Sequence, residues 1–379
     1  MMRILILHHT LNSCGGGERV ALHVIKALME NGHDVELGTV EKTDWNKVYR
    51  LMGVKLPKVP KERFLLREIK KFGIYQRSLT ALHVAKFKKG FDLTINTHGD
   101  VMPLPVDITY LHFPVFALLA EEPWKYYVKY LKSAFWRLYF EPYHIMQKYL
   151  ARWMFSRSLL LTNSKFSKKV IKKYVGCESM VVYPPVEIED YLQVSKNLDR
   201  ENAVITISRF TPEKNVHLVP YIAKALPDVK FYVIGSVRGF QSKNYYQKVF
   251  KEVKEANLKN VSLIPNAPHE IKLKLLGKCK VFLHLMPFEH FGISVVEGMA
   301  SGCVPVVHKS GGQWIDIVEE GKYGIGYDKL SPNEMASAIK KALHEWSPEK
   351  VNSLTTKANV FSAERFKERI IQVVNAYVS

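Results

Sequence analysis

The chain has 379 residues, 47% of them hydrophobic, with 55 basic against 36 acidic side chains and a formal net charge of +19. That length favours two domains over one and the apolar content supports packed cores, while no stretch reaches the roughly 18 uninterrupted apolar residues of a membrane span. The charge points to anionic partners: nucleic acid, anionic lipid or phosphorylated substrates.

In chain order, Met1-Met2-Arg3-Ile4 runs directly into a buried strand, Ile4 to Leu7, instead of an apolar leader. Cys14-Gly15-Gly16-Gly17-Glu18-Arg19-Val20 follows and opens a helix to about Asn31. Three glycines let backbone approach a ligand without Cβ interference, and a helix start favours anions. The loop matches neither the spaced dinucleotide fingerprint nor a P-loop. Short buried strands are expected at Val35 to Leu37, Leu93 to Ile95, Ile108 to Leu111, Leu159 to Leu161 and Met180 to Val182, with a helix from Ser164 to Tyr174 capped by Ser164. His8, His9, His98 and His112 follow or end strands. No pair of them has metal-ligand spacing, so they read as structural histidines. The cysteines, Cys14, Cys177, Cys279 and Cys303, are scattered too, and read as reduced thiols in a cytosolic compartment.

Residues 124 to 155 hold Trp124, Tyr126, Tyr127, Tyr130, Phe135, Trp136, Tyr139, Phe140, Tyr143, Tyr149, Trp153 and Phe155. Interleaved are Lys125, Lys129, Lys132, Arg137, Lys148 and Arg152, against Glu141 alone. Aromatics with cationic neighbours suit a headgroup layer; they also suit a helical insertion packed into a core. A second basic run spans Lys55 to Lys71. The excess positive charge favours a membrane-facing first half, and no nucleic-acid motif accompanies it.

Tyr183-Pro184-Pro185-Val186 breaks regular structure, and a charged connector runs to about Asn202. Strand and helix then alternate again through Val204 to Ile207, Phe231 to Ile234, Val261 to Ile264, Val281 to Leu285 and Val304 to Val307. Two such blocks imply two Rossmann-like domains facing a central cleft, an α/β architecture. Arg209 and Lys214, five apart after a strand, suit a diphosphate near a helix start; they also suit a surface turn with ordinary charges. Glu289-His290-Phe291-Gly292-Ile293-Ser294-Val295-Val296-Glu297 places one acid on a loop and another in the following helix. Carboxylates accept hydrogen bonds from diols; acids at a helix start also answer its dipole. Ser310-Gly311-Gly312 presents backbone amides to phosphate or sugar, or forms a plain tight turn. No Asp-x-Asp occurs, so no metal site is expected.

Together these segments resemble the family-4 glycosyltransferases of the GT-B fold, in the expected order along essentially the whole chain. Glu289 and Glu297 look like the paired-glutamate signature, Arg209 and Lys214 like the diphosphate pair, and Gly15, Gly16 and Gly17 like the glycine loop. Leu111-His112-Phe113-Pro114 looks like the segment carrying the active-site histidine. Within the family, the glycine loop and the 290–297 string are most similar to the α-1,2-mannosyltransferases of the dolichol pathway. Unlike them, this sequence is expected to carry no N-terminal membrane span.

The resemblance implies a retaining, metal-independent hexosyltransferase with no bound cofactor. Its co-substrate would be a nucleotide sugar, GDP-mannose, and its acceptor a polyprenyl- or dolichyl-linked oligosaccharide. The enzyme would lie peripherally on the cytoplasmic face of an anionic membrane. His112, Arg209, Lys214 and Glu289 would be catalytic. Gly15, Gly16, Gly17, Arg209, Lys214, Glu289, Phe291, Gly292, Ile293, Glu297, Gly311 and Gly312 would hold the donor. The expected domains are 1–186, with helix 361–379 packing back on it, and 187–360 for the donor. A UDP-sugar transferase acting on another lipid or soluble glycan, a sugar-nucleotide epimerase and a non-catalytic basic binding protein are the rival readings.

Overall fold

The computed structural model describes residues 1–68, 73–100, 102–114, 117 and 134–379. The chain divides into two compact units: Met1–Pro185 with Ala363–Ser379, and Val186–Ser362.

Unit 1 is built on seven parallel strands: β1 (Arg3–Leu7), β2 (Asp34–Glu41), β3 (Lys61–Leu66), β4 (Leu93–Asn96), β5 (Ile108–Tyr110), β6 (Leu159–Thr162) and β7 (Met180–Val181). Their order is β3-β2-β1-β4-β5-β6-β7. Ile4 to Leu7 is fully buried, as a strand covered on both faces must be, which is why it reads as an unbroken apolar run. The chain steps outward from β1 to β3, then returns to β4 on the other side of β1. The order therefore reverses between β1 and β4, and ligands of such sheets bind at that reversal, beyond the carboxyl ends of the strands.

The helix Gly16–Glu30 buries Val20, Val24 and Leu28 against this sheet. The helix Ala363–Val378 joins the same core through Phe366, Ile370, Val373 and Val374, spaced for one helical face. Lys367 pairs with Glu30 at 2.7 Å. Ser164 caps the helix Lys165–Val175 by accepting from the Ser167 amide at 3.0 Å, and Gly176 ends it with φ +75°.

The basic and aromatic segments each divide between packed and exposed side chains. Most of the described part of the Lys55–Lys71 run is β3 and its approach, and Lys61 and Arg63 pair with the Glu36 carboxylate at 3.2 and 2.6 Å. Lys61 and Arg63 thus answer Glu36 at a sheet edge, while Lys55, Lys58 and Arg67 are exposed. Of the aromatic segment, Trp124, Tyr126, Tyr127, Tyr130, Lys125, Lys129 and Lys132 lie outside the described residues. The rest forms the helix Ala134–Phe155. Phe140, Tyr143 and Phe155 are buried in it, whereas Phe135, Leu138, Ile145, Tyr149 and Trp153 are exposed.

Unit 2 carries six parallel strands: β8 (Glu201–Ile207), β9 (Lys230–Gly235), β10 (Val261–Pro265), β11 (Cys279–Leu283), β12 (Val304–His308) and β13 (Ile325–Tyr327). Their order is β10-β9-β8-β11-β12-β13. The reversal here lies between β8 and β11. The strand expected at Val281 to Leu285 ends two residues sooner, which releases His284 and Leu285 into the loop beyond it. Val186 and Ser362 form a parallel bridge where the chain enters and leaves the unit.

His23 lies on the Gly16–Glu30 helix with its ring edge-on to Phe366, centroids 6.3 Å apart. Burial, helped by Arg19 and Lys26, pushes its pKa from 6.5 down to about 3. The unfolded chain therefore takes up a proton that the folded chain refuses, so stability is full above pH 6.5 and falls as pH drops toward about 3. Urea unfolding of His23→Leu should show a shallower loss across that window than the parent. Phe366→Ala should cost about 3–5 kcal/mol by the same measurement.

Candidate active site

Beyond β8, Ser208 to Phe210 press against the end of β9. A Cβ on Gly235 would stand 2.1 Å from the Ser208 carbonyl oxygen, so only glycine permits this approach. A short 3-10 turn, Pro212–Lys214, follows and ends at Asn215 with φ +53°. Asn215 donates its side-chain amide to the Leu285 carbonyl at 3.1 Å, fixing that turn to the segment leaving β11.

The turn brings Lys214 Nζ to 2.5 Å from Glu289 Oε2. His284 Nε2 lies 3.5 Å from the same oxygen. Burial alone would raise the Glu289 pKa; the Lys214 ammonium and the His284 contact overcome it and hold the carboxyl well below its ordinary value of 4.5. Burial lowers the His284 pKa in turn, against the pull of Glu289. At neutral pH the group is an ammonium, a carboxylate and a neutral imidazole on one oxygen. Lys214 and His284 both meet Oε2, and among the described residues Oε1 keeps its capacity to accept from a ligand hydroxyl. Arg209 differs: its side chain is 66% exposed and its contact with Glu213 is loose at 3.6 Å, so its guanidinium is available to an anion.

The Glu289 loop is clamped by its neighbour. Phe288 has φ +52°, and its amide donates to Ser310 Oγ at 2.7 Å. The Gly312 amide donates to the Glu289 carbonyl at 2.8 Å. A Cβ on Gly311, whose φ is +73°, would meet the Glu289 carbonyl oxygen at 2.3 Å; one on Gly312 would meet that of His290 at 2.3 Å. Gly311 and Gly312 are thus required by backbone packing, and the Gly312 amide is already committed. Gln313 completes the clamp by donating to the Met286 carbonyl at 2.9 Å.

Gly292, with φ +113°, opens the helix Ile293–Ala300. The Phe291 side chain is buried edge-on to Phe361, centroids 5.4 Å apart, so only its backbone is left for a ligand. Ile293 is half-buried in the first turn. Glu297 sits one turn further along, its two oxygens each 3.5 Å from Lys272 Nζ. Lys272 also donates to the Tyr191 hydroxyl at 2.5 Å. Lys272 and Tyr191 carry no sequence signal, because helix and connector residues far apart in the chain supply them.

In unit 1, Gly15 and Gly16 are exposed at the start of the Gly16–Glu30 helix. The Gly15 amide donates to Glu18 Oε2 at 2.8 Å. A Cβ on Gly17 would make ordinary contacts with His112 and His98, the nearest atom being His112 Nε2 at 3.5 Å. The glycine loop and His112 are therefore neighbours, as the sequence could not show. Asp100 pins His112 by accepting from its amide at 2.7 Å, and His112 Nε2 donates to the Thr97 carbonyl at 3.3 Å. His8, His9 and His98 also gather here, with burial holding the pKa of His9 and His98 well below 6.5. Their donor nitrogens lie within 4.8 Å of one another, so three residues without metal-ligand spacing in sequence acquire it in space.

Residues 187–360 match the family described as Glycosyl transferases group 1. A relative in Neurospora crassa, named GDP-Man:Man(3)GlcNAc(2)-PP-Dol alpha-1,2-mannosyltransferase, is 32% identical over 281 residues, covering 65% of this chain and 49% of its own. A Homo sapiens protein of the same name is 29% identical over 213 residues, covering 52% and 43%. The chain thus spans about half the length of the curated relatives it matches. Among solved structures, Anabaena Alr3699/HepE in complex with UDP and glucose superposes with a TM-score of 0.70 at 17% identity, covering 99% of this chain and 100% of that one. The fold is GT-B.

The glycines of the two units should respond oppositely to alanine. Gly311→Ala forces a Cβ into backbone at positive φ and should cost at least about 2 kcal/mol in urea unfolding. Gly17→Ala should leave stability within about 1 kcal/mol of the parent or above it, since alanine favours the helix.

Proposed function

We propose that this chain, whose 187–360 segment is a group 1 glycosyltransferase domain on a GT-B fold, is a retaining glycosyltransferase. In this reading it moves mannose from GDP-mannose to a polyprenyl- or dolichyl-linked oligosaccharide. The observation that carries the proposal is the Lys214–Glu289–His284 group at the strand-order reversal of unit 2, with an accessible Arg209 earlier in the same segment after β8. It joins a carboxylate suited to sugar hydroxyls with two cations suited to a diphosphate. The names of the relatives supply the donor and acceptor.

Each side chain then has a distinct task. Lys214 has three N–H donors and commits one to Glu289, which leaves donors for phosphate oxygens. Arg209 adds a planar fork. Both oppose the charge that grows on the diphosphate as the glycosidic bond breaks, a transition-state effect. Glu289 accepts from hydroxyls of the transferred sugar. Glu297, oriented by Lys272, accepts from the ribose hydroxyls. For the Gly15–Gly17 loop and for His112, held by Asp100 and Thr97, a part in donor binding rests on the family resemblance alone. Side-chain cations replace a divalent ion at the diphosphate, so transfer runs without added magnesium or manganese.

Binding and turnover separate these tasks. GDP should raise the melting temperature more than UDP at equal concentration, since a ligand at 100 times its Kd stabilises by about 2.7 kcal/mol. UDP outperforming GDP would redirect the reading to a UDP-sugar enzyme. Arg209→Ala and Lys214→Ala should each lower turnover by roughly 10²-fold or more, as charge stabilisation of a leaving group is worth ~3 kcal/mol. Glu297→Ala should weaken GDP itself in calorimetry. Near-parental turnover in both cation variants would overturn the assignment.

A membrane-facing surface belongs to the same proposal. The exposed Phe135, Leu138, Ile145, Tyr149 and Trp153 are spaced three, seven, four and four residues apart, along one face of the Ala134–Phe155 helix. Exposed Arg137, Lys148, Arg152 and Arg157 flank them. Apolar side chains with a cationic border fit the headgroup layer of an anionic bilayer. Among the described residues no helix is long and apolar enough to cross a membrane. Each basic residue near such a surface is worth about 1 kcal/mol, screened by salt. Leu138→Ser with Tyr149→Ser should reduce sedimentation with phosphatidylserine vesicles, and high salt should release the parent. Equal binding by variant and parent would reject this surface.

A further inference from the structure

At the strand-order reversal of unit 1, His8 and His9 leave β1 and His98 leaves β4. His9 Nδ1 and His98 Nδ1 are 2.8 Å apart. His8 Nδ1 lies 2.9 Å from Thr97 Oγ1, which also meets the Leu7 carbonyl at 3.0 Å. His8 Nε2 is buried without a hydrogen-bond partner, and it faces Glu18 Oε1 at 3.8 Å.

We propose that His8 Nε2, His9 Nδ1, His98 Nδ1 and the Glu18 carboxylate form a binding site for a divalent cation of the zinc class. Three imidazoles and one carboxylate are a donor set that such ions take. Bonds of about 2.0–2.1 Å around a tetrahedral ion put donor nitrogens roughly 3.4 Å apart. One donor nitrogen from each histidine lies within 4.8 Å of the others, and the Glu18 carboxylate stands 3.8 Å from His8 Nε2; the rings are stacked, with centroids 4.4 to 5.2 Å apart, so they turn as well as shift for each ring plane to meet one ion. The imidazole N–H between His9 and His98 would move to the distal nitrogen of its ring. For His98 that nitrogen, Nε2, faces Asp100 Oδ2 at 3.9 Å, the outer carboxylate that ligating histidines commonly have. Thr97 plays the corresponding part for His8. The ion would tie the ends of β1 and β4 to the helix that carries the glycine loop. It is a resident ion of unit 1, distinct from any ion delivered with a nucleotide.

The test uses the full chain without a polyhistidine tag, stripped by chelating resin and titrated with Co²⁺. About one equivalent should bind, with visible d–d absorption and displacement by Zn²⁺. His9→Gln and His98→Gln should each weaken binding by roughly a hundredfold, and Asp100→Asn by roughly tenfold, as outer-shell losses do. His33→Gln, outside the cluster, should bind as the parent does. Should the histidine variants fail to fold, X-ray absorption of the Co²⁺-loaded parent decides, with imidazole scattering from several ligands expected. A spectrum without it, or binding that survives in folded His9→Gln and His98→Gln, overturns the proposal. So does a parent chain that binds neither ion at micromolar concentration.

Discussion

A carboxylate largely withdrawn from water needs a positive partner, and much of unit 2 around the candidate site is arranged about that requirement at Glu289. Lys214 supplies the charge, but it reaches Glu289 only because a 3-10 turn aims it there. That turn keeps its place because Asn215 is tied to Leu285. His284 can stand beside the carboxylate only because β11 stops at Leu283. The loop bearing Glu289 holds its shape because two glycines let another loop lie directly on its backbone. Each element would relax without the next, so the charge pair and the clamp form one cooperative unit.

This accounts for how much of the site was legible. Arg209, Lys214, Glu289 and Glu297 stand at fixed short offsets from strands, and local spacing survives folding. Gly311 and Gly312 were visible as a turn, yet the reason for them is the backbone of residues 289 and 290, which no local pattern encodes. His284 reads as an ordinary strand-end histidine until the Lys214 turn is folded beside it. Lys272 approaches Glu297 from a different helix. The three histidines of unit 1 are brought together across 89 residues between His8 and Thr97 or His9 and His98. Pairing through space of that kind leaves no trace in spacing.

The fold itself was more legible than its edges. Buried parallel strands announce themselves as apolar runs, and the central strands of both sheets do so. β3 did not, because an edge strand keeps one side open and Lys-Glu-Arg-Phe reads as charge. β13 has only three residues, Ile325 to Tyr327, too few for a period. The aromatic segment divided for a related reason: composition cannot say which face of a helix meets the core. Phe140, Tyr143 and Phe155 turn inward while Phe135, Tyr149 and Trp153 turn out.

The return of residues 363–379 to unit 1 sets an order on synthesis. A chain emerges from the ribosome in one direction, and domains generally form as units while it does so. Unit 2 is continuous from Val186 to Ser362 and has its whole core in hand once those residues have emerged. Unit 1 began far earlier, yet its core lacks Phe366, Ile370, Val373 and Val374 until the end. The part made first therefore finishes last. For most of translation the side of the Gly16–Glu30 helix that meets the helix Ala363–Val378 waits without its covering.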